Sequence, residues 1–283
     1  MLRVNLWDVE FEHSVGEQGF DAASYRFKPN KIEYVRNQTE WDGITLFTNR
    51  CLDKALTVKS KIKIAWMHEA RIILPGTYER LLELEDTFDY IVTYYEDLLQ
   101  RNPKKYIPYI SGCCRIPPNE QQVYPKTKLL SHLVTRQTTT YAHQFRHILA
   151  HYLHEMNFPV TIFGPNHTPY PTKLDAHKDF MFSIVIMNSC ENFYFSEWLI
   201  DCFMCGTIPI FYGCPDIGRF FNQDGIIQIK ELNDVLAILP ALTPELYESK
   251  KEAIYENLQK AKAFVCPDDL VAAILQREVV PTL

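Results

Sequence analysis

Residues 178–215 read KDFMFSIVIMNSCENFYFSEWLIDCFMCGTIPIFYGCP. The apolar run Phe182–Met187 is rich in β-branched and aromatic residues and predicts a buried strand, and Thr207–Tyr212 predicts a second one. Between them, the apolar spacing of Ser196–Cys205 predicts a helix that the Ser196 hydroxyl can cap. A strand, a polar loop, a helix and another strand are the repeating unit of a parallel sheet, so this stretch indicates the α/β class.

The same alternation of strands and helices runs through the rest of the chain. Further strands are predicted at Leu2–Leu6, Ile44–Phe47, Ile62–Met67, Tyr90–Thr93, Leu129–Val134, Val160–Phe163 and Ile226–Ile229. Helices are predicted at Leu52–Val58, Thr77–Leu84, Tyr95–Arg101, Ala142–Met156, Asn233–Leu239, Pro244–Ala263 and Asp268–Gln276. The pattern is typical of doubly wound parallel sheets.

The domain organisation follows from one break in this pattern. The segment Ile116–Lys126 is polar, rich in proline and without apolar periodicity, which suits an interdomain linker. With 283 residues the chain can form two domains, which we predict at 1–124 and 125–283, the last helices packing back on the first domain. Two doubly wound domains facing one another would bind ligands in a cleft at the carboxyl ends of their strands.

The composition excludes several classes of protein. A formal net charge of −6, from 29 basic and 35 acidic residues, argues against a general nucleic-acid or membrane-surface binder. No membrane span and no signal-peptide core is visible, so we expect a soluble chain in the cytoplasm of a bacterium or of a virus-infected host cell. The eight cysteines are spaced too irregularly for a disulfide framework.

The motifs of several nucleotide-binding and hydrolytic classes are absent from the sequence. There is no G-x-G-x-x-G, no G-x-x-x-x-G-K-[ST] and no G-x-S-x-G, which disfavours dehydrogenases, P-loop NTPases and α/β-hydrolases. No D-x-D motif is present either. A bound diphosphate would therefore be neutralised by basic side chains and helix N-termini.

The polar loop between the strand and the helix carries the candidate binding groups. Glu197 sits in the first turn of the predicted helix, where the helix dipole favours a carboxylate. It either stabilises that helix end or accepts hydrogen bonds from the hydroxyl groups of a sugar or ribose. The residues alone leave both readings open.

This loop and its flanking elements resemble a known family. The runs Phe182-Ser-Ile-Val-Ile-Met-Asn-Ser189, Tyr194-Phe-Ser-Glu-Trp198 and Gly206-Thr-Ile-Pro-Ile-Phe-Tyr-Gly213 resemble the donor-site block of the α-1,3/4-fucosyltransferases, glycosyltransferase family 10. The segment Tyr141-Ala-His-Gln-Phe-Arg146 is similar to the arginine-bearing segment of that family, and Ile64-Ala-Trp-Met-His-Glu69 is similar to an acceptor-side motif. The resemblance covers roughly residues 41–116 and 129–230.

The resemblance implies a GT-B fold and an inverting, metal-independent transfer from a nucleotide sugar, with no cofactor or metal. Glu69 would be the general base, and Arg146 would pair with the donor diphosphate. Without the resemblance, Glu69 could equally be a solvated loop acid and Arg146 a surface arginine. The donor-binding residues that we expect are Arg136, His143, Arg146, Asn188, Tyr194 and Glu197.

Two positions depart from the family pattern. Met187 stands where the family usually has glutamate, and Trp198 stands where it usually has lysine. Loss of that lysine removes one cation from the donor phosphates, which costs about 1–4 kcal/mol of interaction energy. Arg136 or Arg146 could compensate, whereas Trp198 could stack on a base or sugar or pack in the core.

The sequence thus predicts a soluble glycosyltransferase that moves L-fucose from GDP-fucose to a hydroxyl of a glycan acceptor, with no nucleic-acid partner. Two alternatives remain open. One keeps the fold and mechanism with another nucleotide-sugar donor, and the other is a catalytically silent nucleotide- or glycan-binding domain.

Overall fold

The computed structural model describes residues 1–9 and 27–282, whose contacts divide the chain into two compact units. The N-terminal unit contains Met1–Gly112, Glu191–Tyr194 and Cys266–Leu283. The C-terminal unit contains Cys113–Cys190 and Phe195–Val265. The division falls after residue 112, whereas the sequence analysis placed the boundary at 124/125.

The segment proposed as a linker, Ile116–Lys126, belongs to the C-terminal unit. Just before it, the Arg115 N–H donates to the Asp201 carboxylate at 2.7 Å. Within it, the Tyr124 N–H donates to the Cys205 carbonyl at 3.4 Å. These hydrogen bonds fix the proline-rich segment to the C-terminal unit. The composition of the segment alone does not indicate this attachment.

The N-terminal unit is built on a parallel sheet. Its described strands are β1 (Leu2–Trp7), β2 (Ile32–Arg36), β3 (Glu40–Thr48), β4 (Lys59–Trp66), β5 (Tyr90–Thr93) and β6 (Tyr106–Pro108). The strand order is β2-β1-β3-β4-β5-β6, and every neighbouring pair is parallel. Ile64, Ala65 and Trp66 of β4 are fully buried, as a sheet covered on both faces requires.

The C-terminal unit is built on a second parallel sheet. Its described strands are β7 (Lys128–Leu133), β8 (Val160–Phe163), β9 (Phe180–Ile186), β10 (Ile208–Tyr212) and β11 (Ile227–Gln228). The strand order is β11-β10-β9-β7-β8, again parallel throughout. The chain order reverses between β7 and β9, which makes this pair the topological switch point, where open α/β sheets bind ligands.

Helices connect the strands of both units. In chain order they are α1 (Pro75–Glu83), α2 (Glu96–Leu99), α3 (Tyr141–Glu155), α4 (Glu197–Met204), α5 (Leu232–Ile238), α6 (Pro244–Ser249), α7 (Lys251–Ala261) and α8 (Pro267–Ile274). No helix formed by the described residues has the length and apolar character that crossing a bilayer requires. In the N-terminal unit, the Asp269 carboxylate on α8 accepts hydrogen bonds from the N–H groups of Asn30 and Lys31, which fixes α8 against the start of β2.

The structure differs from the sequence expectation in four elements. The sequence analysis did not predict β2 and β6. The helix expected at Leu52–Val58 is a 3-10 segment at Asn49–Leu56. The single helix expected at Pro244–Ala263 is divided into α6 and α7, because Lys250 leaves the helical region with φ −106° and ψ 10°.

The turn from α4 into β10 depends on one glycine. Gly206 has a φ of +67°, in the left-handed region. Its N–H donates to the Phe203 carbonyl at 3.1 Å, and the Thr207 N–H donates to the Cys202 carbonyl at 2.9 Å. This pair of hydrogen bonds is a Schellman motif, and it brings the chain directly into β10.

Gly206→Ala should lower the free energy of unfolding by about 1–3 kcal/mol, because an alanine is strained at this φ. Its Cβ would also lie 2.7 Å from Cγ1 of Val123. Gly76→Ala in α1 is the matched control, since a Cβ there has no heavy atom within 4 Å. Urea unfolding of both variants measures the difference, and equal midpoints would contradict the expectation.

Candidate active-site residues

Glu69 follows β4 in a turn that is held from several sides. The Asn49 side chain, at the end of β3, accepts through Oδ1 from the N–H groups of His68 at 3.2 Å and of Glu69 at 3.4 Å. The Tyr78 hydroxyl, from α1, donates to the Glu69 carbonyl at 2.7 Å. The Glu69 carboxylate is half-buried, and its Oε1 accepts from the Ala70 N–H at 2.8 Å. The backbone of a candidate base is therefore fixed by neighbouring elements.

The surroundings of this turn are aromatic. The Tyr95 hydroxyl accepts from the Arg71 N–H at 2.6 Å, and the Arg71 guanidinium lies 4.3 Å from the centroid of the Tyr95 ring. Burial lowers the pKa of His68 to about 3, so its ring is neutral at physiological pH. The side chain next to Glu69 in the chain therefore contributes no positive charge there.

Arg146 is the central residue of the switch point in the C-terminal unit. It lies on α3, which follows β7, and its side chain is buried. Its Nε and Nη2 donate to the Ile186 carbonyl at the end of β9, at 3.0 and 2.5 Å. Nη2 also donates to Oδ1 of Asn188 at 2.9 Å. One guanidinium thus joins the helix after β7 to the loop after β9.

His143 lies one turn before Arg146 and is also buried. Its N–H donates to the Thr140 hydroxyl that caps α3, and its Nδ1 is 3.2 Å from the Thr139 hydroxyl oxygen. Burial and the neighbouring Arg146 charge lower the pKa of His143, while a hydrogen bond with Asn188 acts in the opposite direction. His143, Arg146 and Asn188 therefore form one connected polar group.

Met187 and Trp198, the two positions that depart from the resembled pattern, lie on either side of the loop before α4. Ser196 caps α4 by accepting from the Trp198 N–H, and its hydroxyl lies 3.7 Å from the thioether sulfur of Met187. Met187 is buried, so no carboxylate is present there to bind the loop. Glu197 begins α4 half-exposed and forms no hydrogen bond or ion pair with another described residue.

Trp198 lies beneath two cations. The Cζ atom of Arg146 and the Nζ atom of Lys173 are each 4.3 Å from the centroid of its ring system. The tryptophan also packs against the cluster formed by Leu133, Phe163, Ala176 and Phe180. It is therefore both a core residue at one edge and a contact surface for positive charge.

The expected donor residues Arg136 and Tyr194 have other surroundings. Arg136 is exposed in the loop between β7 and α3 and has no hydrogen-bond or ion-pair partner among the described residues. Tyr194 belongs to the N-terminal unit, where its ring stacks on that of Tyr94 with centroids 4.8 Å apart. Of the residues expected from the sequence, the structure therefore connects His143, Arg146 and Asn188 directly.

The sequence analysis missed Asn49, Tyr78 and Lys173. Asn49 lies two residues after the predicted strand Ile44–Phe47. This position at a strand end could have marked Asn49 as a candidate site residue. Neither Tyr78 in its helix nor Lys173 in its polar loop belongs to a recognisable motif. Among the described residues, no group of three or more His, Cys, Asp or Glu side chains is arranged to hold a metal ion.

Asp201 is a fully buried carboxyl on α4. Its Oδ1 accepts from the Arg115 N–H at 2.7 Å, and its Oδ2 has no hydrogen-bond partner in the described part of the chain. Burial raises the pKa of Asp201 to about 7, with Glu197 adding to the rise and Lys173 and the Arg115 hydrogen bond opposing it. The carboxyl therefore titrates near neutral pH in the folded chain.

Each sheet reverses its strand order at one point and carries polar side chains at its strand ends, which defines a Rossmann-like α/β protein with two domains. No protein-family model matches the sequence. The chain is similar to an α-1,3-fucosyltransferase solved with GDP, at 14% identity and a TM-score of 0.57, covering 99% of this chain and 91% of that one. The same class of enzyme solved with GDP-fucose gives 14% identity and a TM-score of 0.55, with the same coverage of 99% and 91%.

A different glycosyltransferase is similar over almost its whole length. It is an α-glucosyltransferase in complex with UDP-glucose and DNA containing an abasic site, at 11% identity and a TM-score of 0.61, covering 97% of this chain and 98% of that one. At such identities the similarity concerns the fold. It confirms the predicted α/β class with two Rossmann-like domains of the GT-B type.

Asp201→Asn should make the free energy of unfolding less sensitive to rising pH. The pKa of Asp201 in the folded chain, about 7, lies above the ordinary value of 3.8, so the native carboxyl costs stability as the pH rises between these values. Relative to the unaltered chain, the Asn variant should gain up to about 1.4 kcal/mol of unfolding free energy per pH unit between pH 5 and pH 7. Urea unfolding at several pH values measures this gain.

Asp175→Asn is the control for this series. Although burial acts to raise it, hydrogen bonds from Thr172 and Lys178 lower the pKa of Asp175, so that carboxyl is ionised in both states over this range. Its stability difference from the unaltered chain should not change between pH 5 and pH 7. Parallel pH profiles for Asp201→Asn and the unaltered chain would contradict the assignment.

Proposed function

We propose that this chain is an inverting, metal-independent glycosyltransferase that transfers L-fucose from GDP-fucose to a hydroxyl of a glycan acceptor. The observation that carries the proposal is the buried Arg146 guanidinium at the switch point, joined to Asn188. Open α/β sheets bind nucleotides at such points, and an arginine suits the oxygens of a diphosphate. The similarity in fold to an α-1,3-fucosyltransferase solved with GDP-fucose supports the choice of donor.

The donor would be held by the groups that follow β7 and β9. Arg146 and the exposed Arg136 supply positive charge, and His143 and Asn188 supply hydrogen-bonding groups. The Glu197 side chain has no hydrogen-bond or ion-pair partner among the residues that the structure describes, which favours the reading in which its carboxylate accepts from sugar or ribose hydroxyls. The donor-binding role of Tyr194 stays a prediction from the sequence resemblance.

The transfer would be a single displacement with Glu69 as the base. The Glu69 carboxylate takes the proton of the acceptor hydroxyl as that oxygen attacks the anomeric carbon. The bond from this carbon to the diphosphate oxygen breaks with its electron pair, so the nucleoside diphosphate leaves with one more negative charge. The fixed backbone of Glu69, held by Asn49 and Tyr78, supports a role that requires exact placement of a carboxylate.

Two other functions are outcomes of the same tests. Another donor is favoured by the fold similarity to the α-glucosyltransferase solved with UDP-glucose. A catalytically silent nucleotide-binding domain is favoured by Trp198, which stands where the related family usually has lysine. A DNA acceptor is disfavoured by the net charge of −6.

Glu69→Gln should reduce the rate of transfer by about 10²–10⁴-fold, because general-base assistance of this kind has that magnitude. Binding of the nucleoside diphosphate should be unchanged, since glutamine keeps an oxygen that can accept from the Ala70 N–H. Steady-state transfer assays and calorimetric titration with GDP measure the two quantities.

The matched control for this variant is Glu79→Gln, an exposed glutamate on α1. It carries the same change of charge and should leave both transfer and binding unaltered. A transfer rate of Glu69→Gln within about threefold of that of the unaltered chain would show that Glu69 is not the base, because substitution of a residue without a role in transfer changes the rate by no more than this. A silent binding domain would show no transfer before any substitution.

Release of free nucleoside diphosphate from a panel of GDP- and UDP-sugars tests the donor. In the presence of EDTA and simple sugar acceptors, GDP-fucose should be the sugar nucleotide that turns over. Turnover of a UDP-sugar instead would replace the fucosyl assignment with the alternative donor. Loss of all turnover in EDTA, restored by a divalent cation, would overturn metal independence.

A further inference from the structure

Lys173 is a cation for which the described residues provide no counter-charge. It begins a 3-10 turn at Lys173–Ala176 that is fixed at its N-terminus, since the Thr172 N–H and hydroxyl both donate to Asp175. Its Nζ lies 4.3 Å from the centroid of the Trp198 rings and 5.9 Å from that of Tyr170. It forms no hydrogen bond or ion pair with another described residue.

The other lysines of this region have their charges satisfied. Lys178 pairs with Asp175 at 3.1 Å. Lys126 donates to three backbone carbonyls and to the Thr207 hydroxyl, and burial lowers its pKa to about 8. Lys173 differs because only aromatic rings hold its ammonium group, and a ring face attracts a cation without neutralising it.

The two acidic side chains of α4, Glu197 and Asp201, do not neutralise Lys173 either. Neither Glu197 nor Asp201 is in ion-pair contact with it, although the Lys173 charge acts on the Asp201 carboxyl. Asp201 is fully buried and uses one oxygen for the Arg115 N–H. Lys173 is half-buried as a residue, so part of it is open to solvent.

Arg146 places a second positive charge on the same aromatic ring. Because the Arg146 Cζ and the Lys173 Nζ are each 4.3 Å from the Trp198 centroid, the two charges are no further apart than twice that distance. Like charges this close repel one another unless an anion lies near both. Three Arg146 hydrogen bonds already go to Ile186 and Asn188, whereas no described protein group accepts from Lys173.

We propose that Lys173, held over the Trp198 ring beside Arg146, binds the diphosphate of the nucleotide-sugar donor. This inference rests on the proposed function and adds to it a residue that binds the donor and, at transfer, stabilises the charge that develops on the leaving diphosphate. Trp198 is then a positioning residue, which holds the ammonium at the switch point of the sheet.

The test compares Lys173→Met with the unaltered chain by calorimetric titration with GDP and with guanosine. Removal of a charge-assisted contact should weaken GDP binding by about 10–100-fold and leave guanosine binding unchanged, because the nucleoside carries no phosphate. Lys173→Arg should keep most of the GDP affinity. The affinity of the unaltered chain for GDP should also fall more steeply with added salt than that of Lys173→Met.

Lys178→Met is the matched control, because it removes the same charge from the same region while that lysine already pairs with Asp175. Its GDP affinity should stay within about threefold of the unaltered chain. Equal GDP affinities for Lys173→Met and Lys178→Met would overturn the inference. So would equal losses for GDP and guanosine, since these indicate a general loss of structure.

The outcome also separates this inference from the proposed function. GDP binding that depends on Lys173, without transfer from any donor, would overturn the enzymatic function and support the binding role. Transfer and GDP binding that both survive in Lys173→Met would support the function and overturn the role of Lys173. If the unaltered chain binds neither GDP nor UDP, both are overturned.

Discussion

The buried guanidinium of Arg146 constrains the C-terminal unit at the carboxyl ends of its strands. The positive charge of Arg146 is removed from water, which is unfavourable unless nearby oxygen atoms accept from its N–H groups. The acceptors are the Ile186 carbonyl, where β9 ends, and the Asn188 side chain, two residues further on. Because Arg146 lies on the helix that follows β7, this requirement holds the two strands of the switch point in register at their carboxyl ends. A candidate binding site and the order of the strands therefore depend on the same contact.

In the N-terminal unit an uncharged side chain, that of Asn49, links the ends of two neighbouring strands. Asn49 follows β3 and accepts from two N–H groups in the turn that follows β4, so that one strand end fixes the next. Asn49 thereby satisfies backbone N–H groups beyond a strand end, whereas Asn188 in the other unit accepts from the Arg146 guanidinium. Glu69 in one unit and Arg146 in the other are each held by such contacts and do not depend on loop conformation alone. A reactive group that is held at the end of a strand is placed more precisely than one that is carried by a loop alone.

Most of the fold could be predicted from the sequence, because buried parallel strands read as apolar runs, as Ile62–Met67 and Phe182–Met187 do. The missed strands lack that signal: β2 contains Glu33 and Arg36, and β6 is three residues long and ends in Pro108. Both lie at the edges of the sheet, where one side of a strand needs no apolar partner. The strand-end positions of Glu69, Asn188 and Asn49 could be predicted, because each follows a predicted apolar strand. The contact of Tyr78 could not, because its hydroxyl donates to a turn that is distant in the sequence and belongs to no motif.

The charges around Trp198 are visible in the structure and not in the sequence. From the sequence, a tryptophan in place of lysine removes a cation, and Arg136 and Arg146 are the nearest basic residues that could replace it. In the structure the ring is itself a surface for two cations, one from α3 and one from the turn at Lys173–Ala176. This matters in a chain with a net charge of −6, which repels an anionic ligand at long range. Salt screens that repulsion beyond about 10 Å, so affinity for a diphosphate is decided by the few charges within that distance. Two cations over one aromatic ring are such a local arrangement, and only the three-dimensional fold brings them together.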